Sequence, residues 1–152
     1  MQKPYKVLLA IDDTALTDYC KLKLKDYCVV YVVDSSSRVY EIMHEAQIDL
    51  AVLDYSLPQI NPIELHEGME FLHPDTTIVL CVTRENREVA TRIWHKRAID
   101  YIQKPLDGPR LIDDINKVLR YIVAQDYVRR LEQRILQLEK ELNDVRKAGG
   151  KG

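Results

Sequence analysis

Five short apolar runs rich in β-branched residues, at 5–11, 29–33, 50–53, 77–82 and 99–102, alternate with segments of helical spacing at 16–25, 37–47, 62–72 and 84–97. The order predicts βαβαβαβαβ. Strands that are apolar at nearly every position have no side fit to face water, so they require a parallel sheet covered by helices on both faces. Right-handed crossovers then leave few topologies. The expected architecture is a doubly wound, five-stranded α/β sheet. In such a sheet the carboxyl ends of the strands share one edge, and groups far apart in sequence converge there.

Residues 1–120 suffice for five βα units and a real core. The stretch from Leu111 to Lys147 holds neither glycine nor proline and keeps a helical rhythm. We therefore expect a domain over 1–120, an extension of its fifth helix over 121–147, and a flexible tail over 148–152. A formal charge of -2 gives no electrostatic reason to expect nucleic acid or an anionic membrane as partner. No segment is apolar enough to span a bilayer and the N-terminus lacks a signal peptide's apolar region, so the expected compartment is the cytoplasm. Cys20, Cys28 and Cys81 are odd in number and lack CxxC spacing, which predicts free thiols. His44, His66, His73 and His95 share no ligand spacing with them and are read, with Trp94, as ordinary surface or helix residues.

Chemistry-bearing residues cluster at the predicted strand ends. Asp12 and Asp13 follow the first strand, and one of them is accounted for as a helix N-cap. Two adjacent carboxylates repel unless a cation lies between them, the arrangement a hard ion such as Mg²⁺ needs. Asp54 ends the third run in LAVLDYSLP; alone it reads as a loop acid opening a turn. Beside Asp12 and Asp13 it would make a third carboxylate demanding a cation, and with Mg²⁺ bound it becomes a candidate nucleophile forming an acyl phosphate. Thr83 closes the fourth strand and Lys104 follows the fifth. Individually they read as a helix cap and a surface lysine, but a hydroxyl and an ammonium beside three carboxylates suit the oxygens of a transferred phosphoryl group.

Over roughly residues 6–120 these features resemble the receiver domains of two-component response regulators, which share the flavodoxin-like fold. The resemblance rests on DD at 12 and 13, DxxxP from Asp54 to Pro58, Thr83, and YxxKP from Tyr101 to Pro105. It implies that Asp54 accepts a phosphoryl group from a histidine kinase, and that Asp12, Asp13, Asp54 and the backbone carbonyl of Ser56 hold Mg²⁺. It further implies that Thr83 and Lys104 grip the phosphoryl oxygens, that the Lys104-Pro105 peptide is cis, and that Tyr101 couples to Thr83 as a two-state aromatic switch. Read on its own, Tyr101 is a half-buried strand aromatic. Such a domain is a phosphoacceptor rather than an enzyme with an independent substrate.

Two features depart from the family pattern. Asn61 stands where glycine is common, and asparagine also tolerates left-handed backbone. Arg84 follows Thr83 where a small residue is usual; with Glu85 it is a candidate modulator of the acyl phosphate, along with the position of Ser56.

The C-terminal stretch carries a second pattern. With Val128, Ile135 and Leu142 at a, Leu131, Leu138 and Val145 fall at d, and Tyr121 and Ala124 continue the register backwards. Packing on its own domain explains residues 111–119, but 27 residues of helix span roughly 40 Å and would carry the later stripe beyond a domain of this size. A sustained 3-4 spacing reads as a coiled-coil seam. β-Branched residues at two a positions and leucine at two d positions favour a parallel homodimer, in which Arg134 faces Glu139 and Glu141 faces Arg146 of the second copy. The face formed by the fourth and fifth helices, including Trp94 and Arg97, is a further expected contact.

Two readings stay open. One is a phosphorylation-controlled dimerisation module, complete in itself or continued by an effector beyond Gly152; the other is a constitutively dimeric scaffold that no longer switches. Replacing Arg84 by Ala is expected to change the half-life of the Asp54 acyl phosphate, because Arg84 either screens it from water or clamps it. Equal half-lives in a radiolabel-release assay would remove both roles.

Overall fold

The computed structural model describes residues 4–57, 68, 75–85, 88 and 101–150. Its strands are β1 (Tyr5–Ala10), β2 (Cys28–Val33), β3 (Leu50–Asp54), β4 (Thr77–Val82) and β5 (Tyr101–Gln103), and its helices α1 (Thr14–Leu24), α2 (Ser36–Glu45) and α3 (Gly108–Gly149). The helices expected over 62–72 and 84–97 lie outside the described residues, as do Pro58, Asn61, His66, His73, Trp94, His95 and Arg97. At the edges of those gaps, Gly68 and Glu88 are helical, whereas Arg84 and Glu85 form a turn.

All five strands pair in parallel in the order β2-β1-β3-β4-β5. Winding therefore reverses between β1 and β3, the place where such sheets open a crevice at their carboxyl edge. Register sets that edge. Ala10 pairs with Leu53, Asp54 with Cys81, and Val82 with Gln103, so Asp12, Asp54, Thr83 and Lys104 follow neighbouring strands at similar heights. At the opposite ends, the Asp49 carboxylate accepts from the Lys6 amide at 2.8 Å, and the Thr76 hydroxyl donates to the Ile48 carbonyl at 2.7 Å.

Among the three central strands β3 is buried throughout, and β1 and β4 are buried except at their first residues Tyr5, Lys6 and Thr77. Alternate residues point to opposite faces. Leu8, Ala10, Ala51, Leu53, Ile78 and Leu80 join Val39 and Met43 of α2 in one apolar cluster. Val7, Leu9, Val52, Val79 and Cys81, of the other parity, are equally inaccessible. On α1 the buried set is Leu16, Thr17, Cys20 and Leu24, the spacing of one helical face. The Tyr27 hydroxyl donates to Asn116 of α3 at 2.7 Å, which ties the chain just beyond α1 to α3.

Helix boundaries follow local chemistry. Asp13 is the N-cap of α1, with extended backbone and its carboxylate accepting from the Leu16 amide at 3.1 Å. The last helix begins three residues before the expected Leu111, at Gly108, because Pro109 lacks only an amide that a first turn leaves unpaired. It runs on through Ala148 and Gly149, where a flexible tail was expected. The chain divides into two units, Met1–Val118 and Leu119–Gly152. The second is helical, and its apolar residues Val128, Leu131, Ile135, Leu138, Leu142 and Val145 are exposed. None of the described segments is a helix long and apolar enough to cross a membrane.

Gly108 is required by close packing rather than by its backbone angles. A Cβ there would lie 2.9 Å from two ring carbons of Tyr19. Gly108→Ala should cost about 1 to 3 kcal/mol in urea unfolding, and the cost should vanish when Tyr19 is also Ala. An equal cost in both backgrounds would show that the ring is not the cause.

Candidate functional site

β3 delivers Asp54 as its last strand residue, and the chain turns at once. The Leu57 amide donates to the Asp54 carbonyl at 3.2 Å, and the Ser56 amide donates to Asp54 Oδ1 at 3.0 Å. This carboxylate-to-backbone turn is a local consequence of an Asp two residues before a small polar residue. It leaves the side chain 6% exposed. A carboxylate so far from water needs compensation.

Compensation comes from β5. The Lys104 amide donates to the Val82 carbonyl at 2.8 Å, which continues the sheet ladder one step past the strand. From there Lys104 Nζ reaches Asp54 Oδ1 at 2.6 Å and Ser56 Oγ, also at 2.6 Å. Ser56 Oγ donates to the same Oδ1 at 2.8 Å. One carboxylate oxygen therefore takes a cation, a hydroxyl and an amide. The Lys104-Pro105 peptide is cis, as the resemblance implied.

Sheet register brings the remaining expected residues to the same edge without placing them in that contact set. Asp12 is exposed and lies one residue beyond Ile11 at the end of β1. Asp13, also exposed, spends one oxygen on the α1 cap, which bears out the N-cap reading for one of the two acids. Thr83 is half-buried directly after β4. Tyr101 is half-buried on β5 opposite Leu80, packed against the core cluster. Arg84 and Glu85 are exposed in the following turn. The sequence reading assigns Ser56 a backbone carbonyl and a modulating position, but no contact for its hydroxyl. Its hydroxyl, bridging Asp54 and Lys104, was missed, although an Asp-x-Ser turn at a strand end is a readable signal.

The donor chemistry can be tested against Mg²⁺. Among the described residues no three His, Cys, Asp or Glu side chains stand close enough to enclose a metal by themselves. Mg²⁺ retains several waters and is usually held by one or two carboxylates directly. Asp12, Asp13, Asp54 and the Ser56 carbonyl at one sheet edge are hard oxygen donors of the kind the ion takes, without three of the carboxylates being grouped around one point. The Lys104, Ser56 hydroxyl and Ser56 amide contacts of the Asp54 carboxylate all fall on Oδ1.

The cysteines take no part in this chemistry. Burial pushes the Cys20 and Cys28 thiols up to about 11, with Asp49 adding to the effect at Cys28. Burial and then Asp54 raise Cys81 to about 12. All three are free and inaccessible. At pH 8 about one in a thousand of the Cys20 and Cys28 thiols would be ionised. A folded pKa above the unfolded value contributes stability that is intact below the ordinary thiol value of 9.0 and is lost as pH rises toward 11. Native protein should therefore resist a thiol reagent at pH 8 and react at three sites in denaturant. Stoichiometric labelling of any native thiol within minutes would contradict this environment.

Comparison with known proteins agrees with the fold. The sequence profile of the response regulator receiver domain matches residues 7–116. The chain is 24% identical over 135 residues to an uncharacterised response regulatory protein of Yersinia pestis, covering 87% of this chain and 56% of that one. It is 24% identical over 119 residues to the chemotaxis protein CheY of Thermotoga maritima, covering 74% of this chain and 97% of that one. The chain thus spans little more than half of the Yersinia relative. A crystal structure of a signal receiver domain from Vibrio parahaemolyticus matches with a TM-score of 0.71 at 21% identity, over 83% of this chain and 98% of that one, a likeness of fold.

Proposed function

The chain belongs to the response regulator receiver family of two-component signalling, and from that premise we propose that Asp54 is its phosphoacceptor and a histidine kinase its donor. The observation that carries this reading is the buried Asp54 carboxylate held through one oxygen by Lys104 and Ser56. A carboxylate oxygen attacks the phosphorus of a phosphohistidine, an O–P bond forms, and the N–P bond breaks. The imidazole keeps the electron pair and takes a proton, and the product is an acyl phosphate. Asp12, Asp13, Asp54 and the Ser56 carbonyl would hold Mg²⁺. When bound, it offsets the charge on the phosphoryl oxygens. Lys104 keeps a positive charge beside the reacting carboxylate, and Arg84 and Glu85 sit where they can tune water access. The module transfers a signal rather than turning over a substrate.

Converting the Asp54 carboxylate, with one negative charge, into an acyl phosphate with close to two adds about one negative charge and three acceptor oxygens at the site. The Thr83 hydroxyl, one strand away, is a donor for that group. Tyr101, half-buried one strand further, is the side chain whose rotamer follows Thr83 and alters the neighbouring surface. The receiving element is α3 beyond residue 121. Its exposed seam, Val128 to Val145, suits a parallel homodimer, so the output is a change in association or geometry of that coiled coil. The regulator works in the cytoplasm, binds no nucleic acid through this chain, and hands its signal to a partner or to an effector segment. The second reading, a constitutive dimer, is favoured only by the length of the seam.

Sedimentation velocity over a range of concentrations, with and without Mg²⁺ and beryllofluoride, tests this reading, with Asp54→Ala as control. A change in mass or shape that disappears in Asp54→Ala and is reduced in Thr83→Ala is the expected result. A dimer insensitive to both would establish the scaffold instead.

A further inference from the structure

The buried apolar residues of α3 and the exposed series at its a and d positions never share a heptad position, while Leu136, exposed at b, belongs to neither. Leu111, Ile115, Val118, Leu119 and Ile122 are buried. In the register that places Val128 at a, they fall at e, b, e, f and b. Val128, Leu131, Ile135, Leu138, Leu142 and Val145 occupy consecutive a and d positions and are 45% to 68% exposed. Within the single chain that seam is uncovered.

Charge identifies the occupant as a second, parallel copy. In a parallel pair Arg134 meets Glu139 and Glu141 meets Arg146, and symmetry repeats both attractions. The antiparallel alignment that seats Val128 against Val145 and Leu131 against Leu142 keeps the attraction between Arg134 and Glu141 twice. It also sets Glu132 beside Glu139 twice, so its attractions are offset where those of the parallel pair are not. Like charges at such positions disfavour a pairing mode.

A parallel, in-register pair stacks every a and d residue on its own copy. Followed backwards, the register passes through Ala124 at d and Tyr121 at a, then reaches Lys117 at d, Asp114 at a and Arg110 at d. Lys117 and Arg110 are exposed and Asp114 is half-buried. Each would put like charge on like charge in the dry centre of the pair, where desolvation and repulsion add. The apolar residues of that stretch lie off the seam and are already buried, so none can substitute.

We propose that Arg110, Asp114 and Lys117 form an electrostatic stop that ends homodimer pairing at Tyr121 and keeps the first part of α3 out of the coiled coil. This rests on the parallel-homodimer reading above and adds the point at which the two helices part. It also gives the signal a lever: the unpaired first turns of α3 can shift with the receiver while the zipper beyond Tyr121 stays in register.

Single cysteines at four equivalent d positions, Lys117, Ala124, Leu131 and Leu138, test the stop with a short bismaleimide in the full chain, whose three native thiols are buried. Positions 124, 131 and 138 should cross-link into dimers and position 117 should lag at least about tenfold in rate. Separately, Arg110→Leu/Asp114→Leu/Lys117→Leu should tighten the dimer by about tenfold or more in sedimentation equilibrium. Comparable cross-linking at 117 and 124, or an unchanged dissociation constant in the folded triple variant, would overturn the stop and leave the homodimer standing. No cross-linking anywhere, with a monomer at all concentrations, would overturn the homodimer and the stop together. The cysteine series decides the matter even if the triple variant does not fold.

Discussion

Parallel pairing of buried strands is the constraint on which the rest depends. The backbones of β1, β3 and β4 are shut away from water, so their amides and carbonyls must find one another along the full length of the sheet. That requirement aligns Ala10 with Leu53 and Asp54 with Cys81, and it makes the strands end at one edge. Every group assigned a role in the pocket is therefore either the last residue of a strand or within two or three of it. A slip of one residue in any pair would turn its apolar set outward and carry its functional residue away with it.

At that edge the electrostatics follow from burial. Asp54 is nearly inaccessible, and a carboxylate in that position is tolerated because Lys104, the Ser56 hydroxyl and the Ser56 amide all converge on one oxygen. Three donors are thus concentrated on a single atom of the carboxylate.

α3 shows how one element can satisfy two environments. Its buried residues up to Ile122 occupy b, e and f positions, while most of its later large apolar residues, from Val128 to Val145, fall at a and d and are exposed, with Leu136 at b and Tyr127 at g. A helix read only for total hydrophobicity would look unremarkable, since apolar residues turn up on different sides in different parts. Separated by position along the helix, the two stripes differ: one is buried and the other is exposed.

Strand order of types, the doubly wound parallel sheet, the edge residues and the seam were legible in the chain because each depends on local pattern: apolar runs, strand-end acids, a 3-4 repeat. Boundaries were less so. The start of α3 moved to Gly108 because Pro109 fits a first turn, a matter of cap geometry that periodicity does not report. Which of Asp12 and Asp13 caps α1 depends on backbone angles at a single residue. What only the tertiary structure decided is the contact set around Asp54. Ser56 is two residues from it, but Lys104 is fifty residues away, and their meeting at one oxygen requires β3, β4 and β5 to be stacked in register. Sequence determined which groups reach the edge, because side-chain chemistry and strand length are local. The fold decided which of them touch, because distance across a sheet is set by pairing that no local pattern encodes.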